Sequence, residues 1–278
     1  MNDWKPLKLT DSIKIFQYKK IKIAYKYYNK KINQKTILFL YGFGANILMA
    51  DQFAPVLSNF GYTVLTIDYP GHGYSPDINT ISLELITELI INLLKHLKER
   101  RIILVGYSFG GIIALYFYKK YFNKIDNFIL IHSSYYFKKN IYKKIIFNIF
   151  KIMLKKCYFF TIKYIAIPIL RDLYFTKTQI KDARYTAMKN NKESVIKMFD
   201  IVINKNMIDV LYMINCPTLI IGSFIDILIS ASISKKINKI VKNSKLKIFK
   251  LLGHYSIMSK PDELSKIIDT FIKNQSNL

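Results

Sequence analysis

The chain has 278 residues, 51% of them hydrophobic, and carries 43 basic against 18 acidic side chains, a formal net charge of +25. That length holds one large core, so one domain with an insertion is expected, and lysines interrupt every stretch that approaches the roughly 18 uninterrupted apolar residues of a membrane span. Only Arg100, Arg101, Arg171 and Arg184 are arginine and no recognition motif is present, which argues against nucleic-acid binding, since directed readout favours the arginine fork.

The opening Met1-Asn2-Asp3-Trp4-Lys5-Pro6 lacks the charged-then-apolar pattern of a secretory signal. Ile13 to Tyr18 and Ile21 to Tyr28 alternate apolar and polar residues around Lys19-Lys20, the period of a half-exposed hairpin. Thr36 to Leu40 is a continuous apolar run, suited to a strand buried on both faces of a parallel sheet, and it ends on Tyr41-Gly42-Phe43-Gly44. The mixed segment from Asn46 to Phe60 predicts a helix stopped at Gly61. Tyr62 to Asp68 predicts the next strand and runs into Asp68-Tyr69-Pro70-Gly71-His72-Gly73-Tyr74-Ser75. From Ser82 to Arg101, Leu83, Ile86, Ile90, Leu93 and Leu97 recur at spacings of three and four, with Glu84 and Glu88 early and Lys95, Lys98 and Arg100 late. Those positions make an amphipathic helix whose charges agree with its dipole.

Arg101 to Val105 is strand-like and Gly111 to Phe117 helix-like, and between them lies Gly106-Tyr107-Ser108-Phe109-Gly110. A glycine two residues before and another two after a serine are what a sharp strand-to-helix turn requires. The serine backbone is forced into a strained region, and a side chain at either glycine would strike the neighbouring strand or helix. Ser108 is thereby presented as a nucleophile. With this G-x-S-x-G between strand and helix, the chain resembles the α/β-hydrolase family, serine esterase and lipase type, over nearly its whole length. The resemblance implies an α/β fold with a mostly parallel central sheet of about eight strands flanked by helices, plus an inserted helical cap.

It also implies roles for particular residues. Tyr41-Gly42-Phe43 stands where a His-Gly-x loop follows the third strand in the family, which makes the backbone N–H groups of Phe43 and Phe109 the expected oxyanion-hole donors. Tyr41 departs from the histidine that braces this loop in relatives. The Asp68 to Ser75 stretch matches the family's D-x-P-G-x-G-x-S loop, so His72 is read as structural. Ile125 to His132 reads as a strand with His132 at its exit, either a hydrogen-bonded core histidine or a pocket residue. With Tyr41, Tyr107 and Phe147 it is carried as a candidate substrate contact.

From Tyr135 to Ile214 strand signals stop, and residues 135–214 are expected to form the cap, leaving 1–134 and 215–278 as the hydrolase core. Between Asn127 and Arg171 there are eight lysines and one arginine but no acid. Along Ile141 to Lys155, Lys144, Asn148, Lys151 and Lys155 share one helical stripe, while Ile145, Ile146, Phe147, Ile149, Phe150, Ile152 and Met153 cover a wide apolar arc. Such a helix can lie on an anionic membrane or grip an acidic partner such as an acyl carrier protein. The expectation taken here is plainer: the apolar face covers the pocket and the lysines meet water.

Cys157 and Cys216 are far apart, outside any metal or redox spacing, which fits a reducing cytoplasm. After Thr218 to Gly222 the family places its triad acid, and Asp226 sits there; Asp200 and Asp209 fall in the helical insertion. Lys245 to Phe249 alternates like an edge strand, and Gly253-His254 follows it as the family's catalytic histidine does. Ser108, Asp226 and His254 thus occur in the chain order of the family. Pro261 to Lys273 predicts a closing helix. The activity implied is ester hydrolysis through an acyl-enzyme, with no metal or organic cofactor. Phe60-Gly61-Tyr62-Thr63-Val64 resembles monoacylglycerol lipases and lysophospholipases, while other relatives cleave peptides after proline, carbon–carbon bonds or a carrier-protein-bound methyl ester, and a few are receptors.

Overall fold

The computed structural model describes residues 5, 7–30, 34–138, 141–170 and 174–276. The opening residues 1–4 and 6, and Lys139 and Arg171 of the acid-free span, lie outside the described residues.

β1 (Lys14–Tyr18) and β2 (Ile21–Tyr28) form an antiparallel hairpin turned by Lys19, which takes a left-handed φ of 54°. β3 (Thr36–Leu40) leads to two short helices, α1 (Ile47–Ala50) and α2 (Ala54–Ser58), then β4 (Thr63–Ile67) and α3 (Leu83–His96). β5 (Ile102–Tyr107), α4 (Gly110–Tyr121) and β6 (Ile125–Ile131) complete the first half. An all-helical stretch follows: α5 (Ile141–Lys156), α6 (Tyr158–Phe160), a π-helical turn at Thr161–Ala166, α7 (Ile167–Leu170), α8 (Lys177–Met188), α9 (Lys192–Asn204) and α10 (Ile208–Met213). The sheet resumes with β7 (Thr218–Ser223), α11 (Ala231–Ile240), β8 (Ser244–Phe249), α12 (Ser256–Ser259) and α13 (Pro261–Ser276).

The eight strands form one sheet in the order β1-β2-β4-β3-β5-β6-β7-β8, parallel from β4 to β8 and antiparallel at the β1–β2 end. This is the α/β-hydrolase architecture. Its logic is visible in burial: β3, β4 and β5 are buried at every position, because helices cover both faces, and so read as unbroken apolar runs. β8, at the opposite edge, alternates instead.

Three expectations are corrected. The helix expected from Asn46 to Phe60 is two helices, since Pro55 has no N–H to continue a ladder and sits instead in the first turn of a new helix. α3 ends at His96 rather than near Arg101, where Lys98 adopts a φ of 60° and closes the helix. On α5 the apolar arc is too wide to be hidden by one neighbour: only Phe147 and Leu154 are buried in the body, while Ile141, Tyr142, Ile145, Ile146, Ile149 and Ile152 face water.

Candidate active site

Ser108 caps β5 at the turn into α4 with φ at 53°, a left-handed conformation that costs any residue with a side chain. Its N–H donates to Ile131 O at 2.9 Å, and its own carbonyl accepts from Gly111 N and from the Ser133 hydroxyl at 2.8 Å. The flanking glycines are sterically required. A Cβ at Gly106 would lie 2.7 Å from Gly111 Cα, and one at Gly110 would lie 2.1 Å from Leu40 O.

Two loops bring partners to this hydroxyl. Ser108 Oγ is 2.8 Å from His254 Nε2, and His254 Nδ1 is 2.8 Å from Asp226 Oδ2. Asp226 follows β7 and is almost fully buried; its other oxygen accepts the N–H groups of Leu228 and Ile229 at 3.0 and 2.9 Å. Burial works to raise the Asp226 pKa, but the charge and hydrogen bonds of His254 and His132 outweigh it and hold the carboxyl well below the usual range. The Tyr107 hydroxyl donates to His254 O at 2.9 Å, which ties the elbow strand to the histidine loop.

The candidate substrate contacts divide. Tyr107 and Phe147 line the cavity that opens on Ser108, whereas His132 and Tyr41 do not. His132 takes a φ of 44°, which turns its ring away from the cavity and against the acid: Nδ1 lies 3.3 Å from Asp226 Oδ2, and Nε2 is bonded to Ser256 Oγ at 2.7 Å. Tyr41 points beneath the β3 loop, fully buried, where its hydroxyl donates to Asp68 Oδ1 at 3.2 Å and accepts from Tyr69 N at 3.0 Å. Asp68 also accepts from the N–H groups of Ile47 and Tyr74; burial nevertheless pushes its pKa up to about 7. A tyrosine–aspartate pair therefore braces the loop. His72 lies in the same layer, its pKa lowered by burial to about 4, with Nδ1 3.1 Å from Pro70 O.

The braced loop carries Gly42 and Phe43 past the nucleophile. A Cβ at Gly42 would lie 3.0 Å from Ser108 Cβ, so the backbone itself passes beside the hydroxyl. Above it lies a cavity of about 750 Å³, its open mouth included, with Ser108 and His254 on its floor and otherwise walled almost wholly by apolar side chains. Its wall is a phenylalanine cluster centred on Phe199 of α9, whose ring centre lies 5.3 Å from Phe43, 5.7 Å from Phe109, 6.0 Å from Phe147 and 5.4 Å from Phe150.

Sequence reasoning missed Phe199 and Phe150, which helical periodicity marks only as core. It also missed Asn190, which precedes α9. The Asn190 amide donates to Gly44 O at 2.7 Å and its oxygen accepts from Gly73 N at 3.0 Å, joining the helical stretch to both loops beside the elbow. Among the described residues no group of three or more His, Cys, Asp or Glu side chains is arranged to hold a metal ion.

The family model described as alpha/beta hydrolase fold matches residues 35–150. A pimeloyl-(acyl-carrier protein) methyl ester esterase of Wigglesworthia glossinidia brevipalpis is 28% identical over 256 residues, 85% of this chain and 93% of that protein. Among solved structures, an esterase from Exiguobacterium antarcticum superposes with a TM-score of 0.83 at 18% identity, over 91% of this chain and 96% of that one. MenH from S. aureus gives a TM-score of 0.79 at 25% identity, over 91% of this chain and 98% of that one. Sheet order, family model and solved structures agree on the architecture: this chain has the α/β-hydrolase fold.

Proposed function

We propose that this chain is a serine hydrolase that cleaves a carboxylic ester through an acyl-enzyme on Ser108. The observation that carries the proposal is the continuous line from Asp226 through His254 to Ser108, each step 2.8 Å, on the floor of an apolar cavity. Asp226, held ionised, keeps the proton on His254 Nδ1 and leaves Nε2 free to take the Ser108 proton as Oγ attacks the acyl carbon. The N–H groups of Phe43 and Phe109 serve as oxyanion donors. Being backbone groups, they do not depend on the side chain at position 41. The imidazolium then protonates the departing alcohol, and a water activated by His254 releases the acid. Residues 135–214 act as the cap, and their phenylalanines suit an acyl chain rather than a charged one.

The test is a chain-length series of nitrophenyl esters with the wild type and Ser108→Ala, alongside labelling by a fluorophosphonate. Turnover should fall by at least about a thousandfold in the variant and labelling should vanish; retained turnover refutes the proposal. A second substrate is favoured by the Wigglesworthia relative, matched over 93% of its length: the methyl ester of a dicarboxylate carried on an acyl carrier protein. Turnover of such a carrier-bound ester at least tenfold above that of the free methyl ester, lost at high salt, supports it; equal rates count against it. The cysteine pair, both free thiols, fits a reducing cytoplasm.

A further inference from the structure

We infer that the outer face of α5 is a docking surface for an anionic lipid bilayer. At 100° per residue, Ile141, Tyr142, Ile145, Ile149 and Ile152 fall within an arc of about 100°. That arc lies nearly opposite Phe147, Phe150 and Leu154, which face the body. Exposure along it runs from 50% at Ile145 to 74% at Tyr142, and the apolar surface continues past the helix through Phe159, Phe160 and Tyr164, each more than half exposed. Single exposed aliphatics need no explanation, but a contiguous set of this kind marks a contact surface.

The charge around the arc names the partner. Lys143 turns inward to donate to Leu228 O at 3.2 Å and Lys151 pairs with Asp200, whereas Lys144, Lys155 and Lys156 stand exposed. No acid occurs anywhere from Asn127 to Arg171. Isoleucines and aromatic rings flanked by free lysines are what an in-plane helix presents to acyl chains and anionic headgroups together. A second copy of the chain fits poorly, because a two-fold contact would set lysine against lysine with no acid to pair them. An acidic protein would answer the lysines but leave the aliphatic centre of the face unmatched. The placement also has a use: Ile146, at the edge of the arc, is 61% exposed and lines the cavity, so a docked α5 sets the cavity mouth against lipid.

Flotation with phosphatidylcholine vesicles, with and without phosphatidylglycerol, tests this on the full chain. A net charge of +25 attracts any anionic surface, so the deciding variant is Ile145→Gln/Ile149→Gln, which leaves charge unchanged. The wild type should float with anionic vesicles, and the double variant should bind at least about tenfold more weakly with an unaltered circular dichroism spectrum and thermal midpoint. Ser108→Ala should float like the wild type, so docking stands or falls apart from the hydrolytic proposal. Four results overturn the inference: no flotation, equal binding by the double variant, capture by an acidic carrier protein but not by vesicles, or a solution dimer that the isoleucine substitutions dissociate.

Discussion

Replacing the nucleophile with glycine should give a more stable protein than replacing it with alanine. Both Ser108→Gly and Ser108→Ala lose the hydroxyl and its 2.8 Å contact with His254, so that loss cancels in the comparison. What remains is the backbone. With φ at 53°, alanine stays in the left-handed region, which costs a side-chain-bearing residue about 1–2 kcal/mol, whereas glycine occupies it freely. Glycine in turn gives the unfolded chain more freedom, which offsets about 0.4–1 kcal/mol. The net expectation is a glycine variant more stable by roughly 0.5–1 kcal/mol, a shift of about 2 °C in Tm for a chain of this size. Calorimetry on both inactive variants reads it directly. An alanine variant equal to or more stable than the glycine variant would mean the turn stores no strain, and the presentation of Ser108 would need another cause.

Tyr41→Phe removes a donor from Asp68 and an acceptor from Tyr69 N–H inside the core; denaturant unfolding should show a loss of about 1–3 kcal/mol, and unchanged stability would show that the pair does not brace the loop. Phe199→Ala opens the centre of the aromatic wall. It should move the preferred nitrophenyl ester to longer chains at a stability cost of about 3 kcal/mol, and an unmoved optimum would take Phe199 out of the acyl site. The depressed folded-state pKa of Asp226 gives a sign to the acid limb: its contribution is present above the unfolded value of about 4 and is lost as pH falls below it. The stability gap between wild type and Asp226→Asn should therefore begin to narrow below about pH 4 and keep narrowing as pH falls toward the depressed folded value, and a gap constant with pH contradicts the electrostatic origin of the shift.

The features legible in the sequence are those with a local steric or periodic cause. Strands covered on both faces leave runs such as Thr36 to Leu40, and the elbow announces itself because Gly106 and Gly110 admit no side chain. Side-chain direction at a strand exit has no such signature. His132 and Tyr41 both follow buried strands, and only the backbone rotation at His132 and the buried Asp68 beneath Tyr41 decide that neither faces the cavity. Phe199 was illegible for a different reason: it reaches the site from a helix about ninety residues beyond the elbow, and periodicity alone cannot tell a cavity wall from a core. The same blindness applied to α5, where the pattern gives the width of the apolar arc but not how little of it a neighbour covers.

The most direct measurement is the mass of the peptide carrying Ser108 after a brief incubation with a nitrophenyl ester and an acid quench. The expected result is the acyl mass on Ser108 in the wild type, formed no slower than turnover and missing from Ser108→Ala. Steady turnover with the acyl group on another side chain, or undiminished in Ser108→Ala, would contradict the acyl-enzyme.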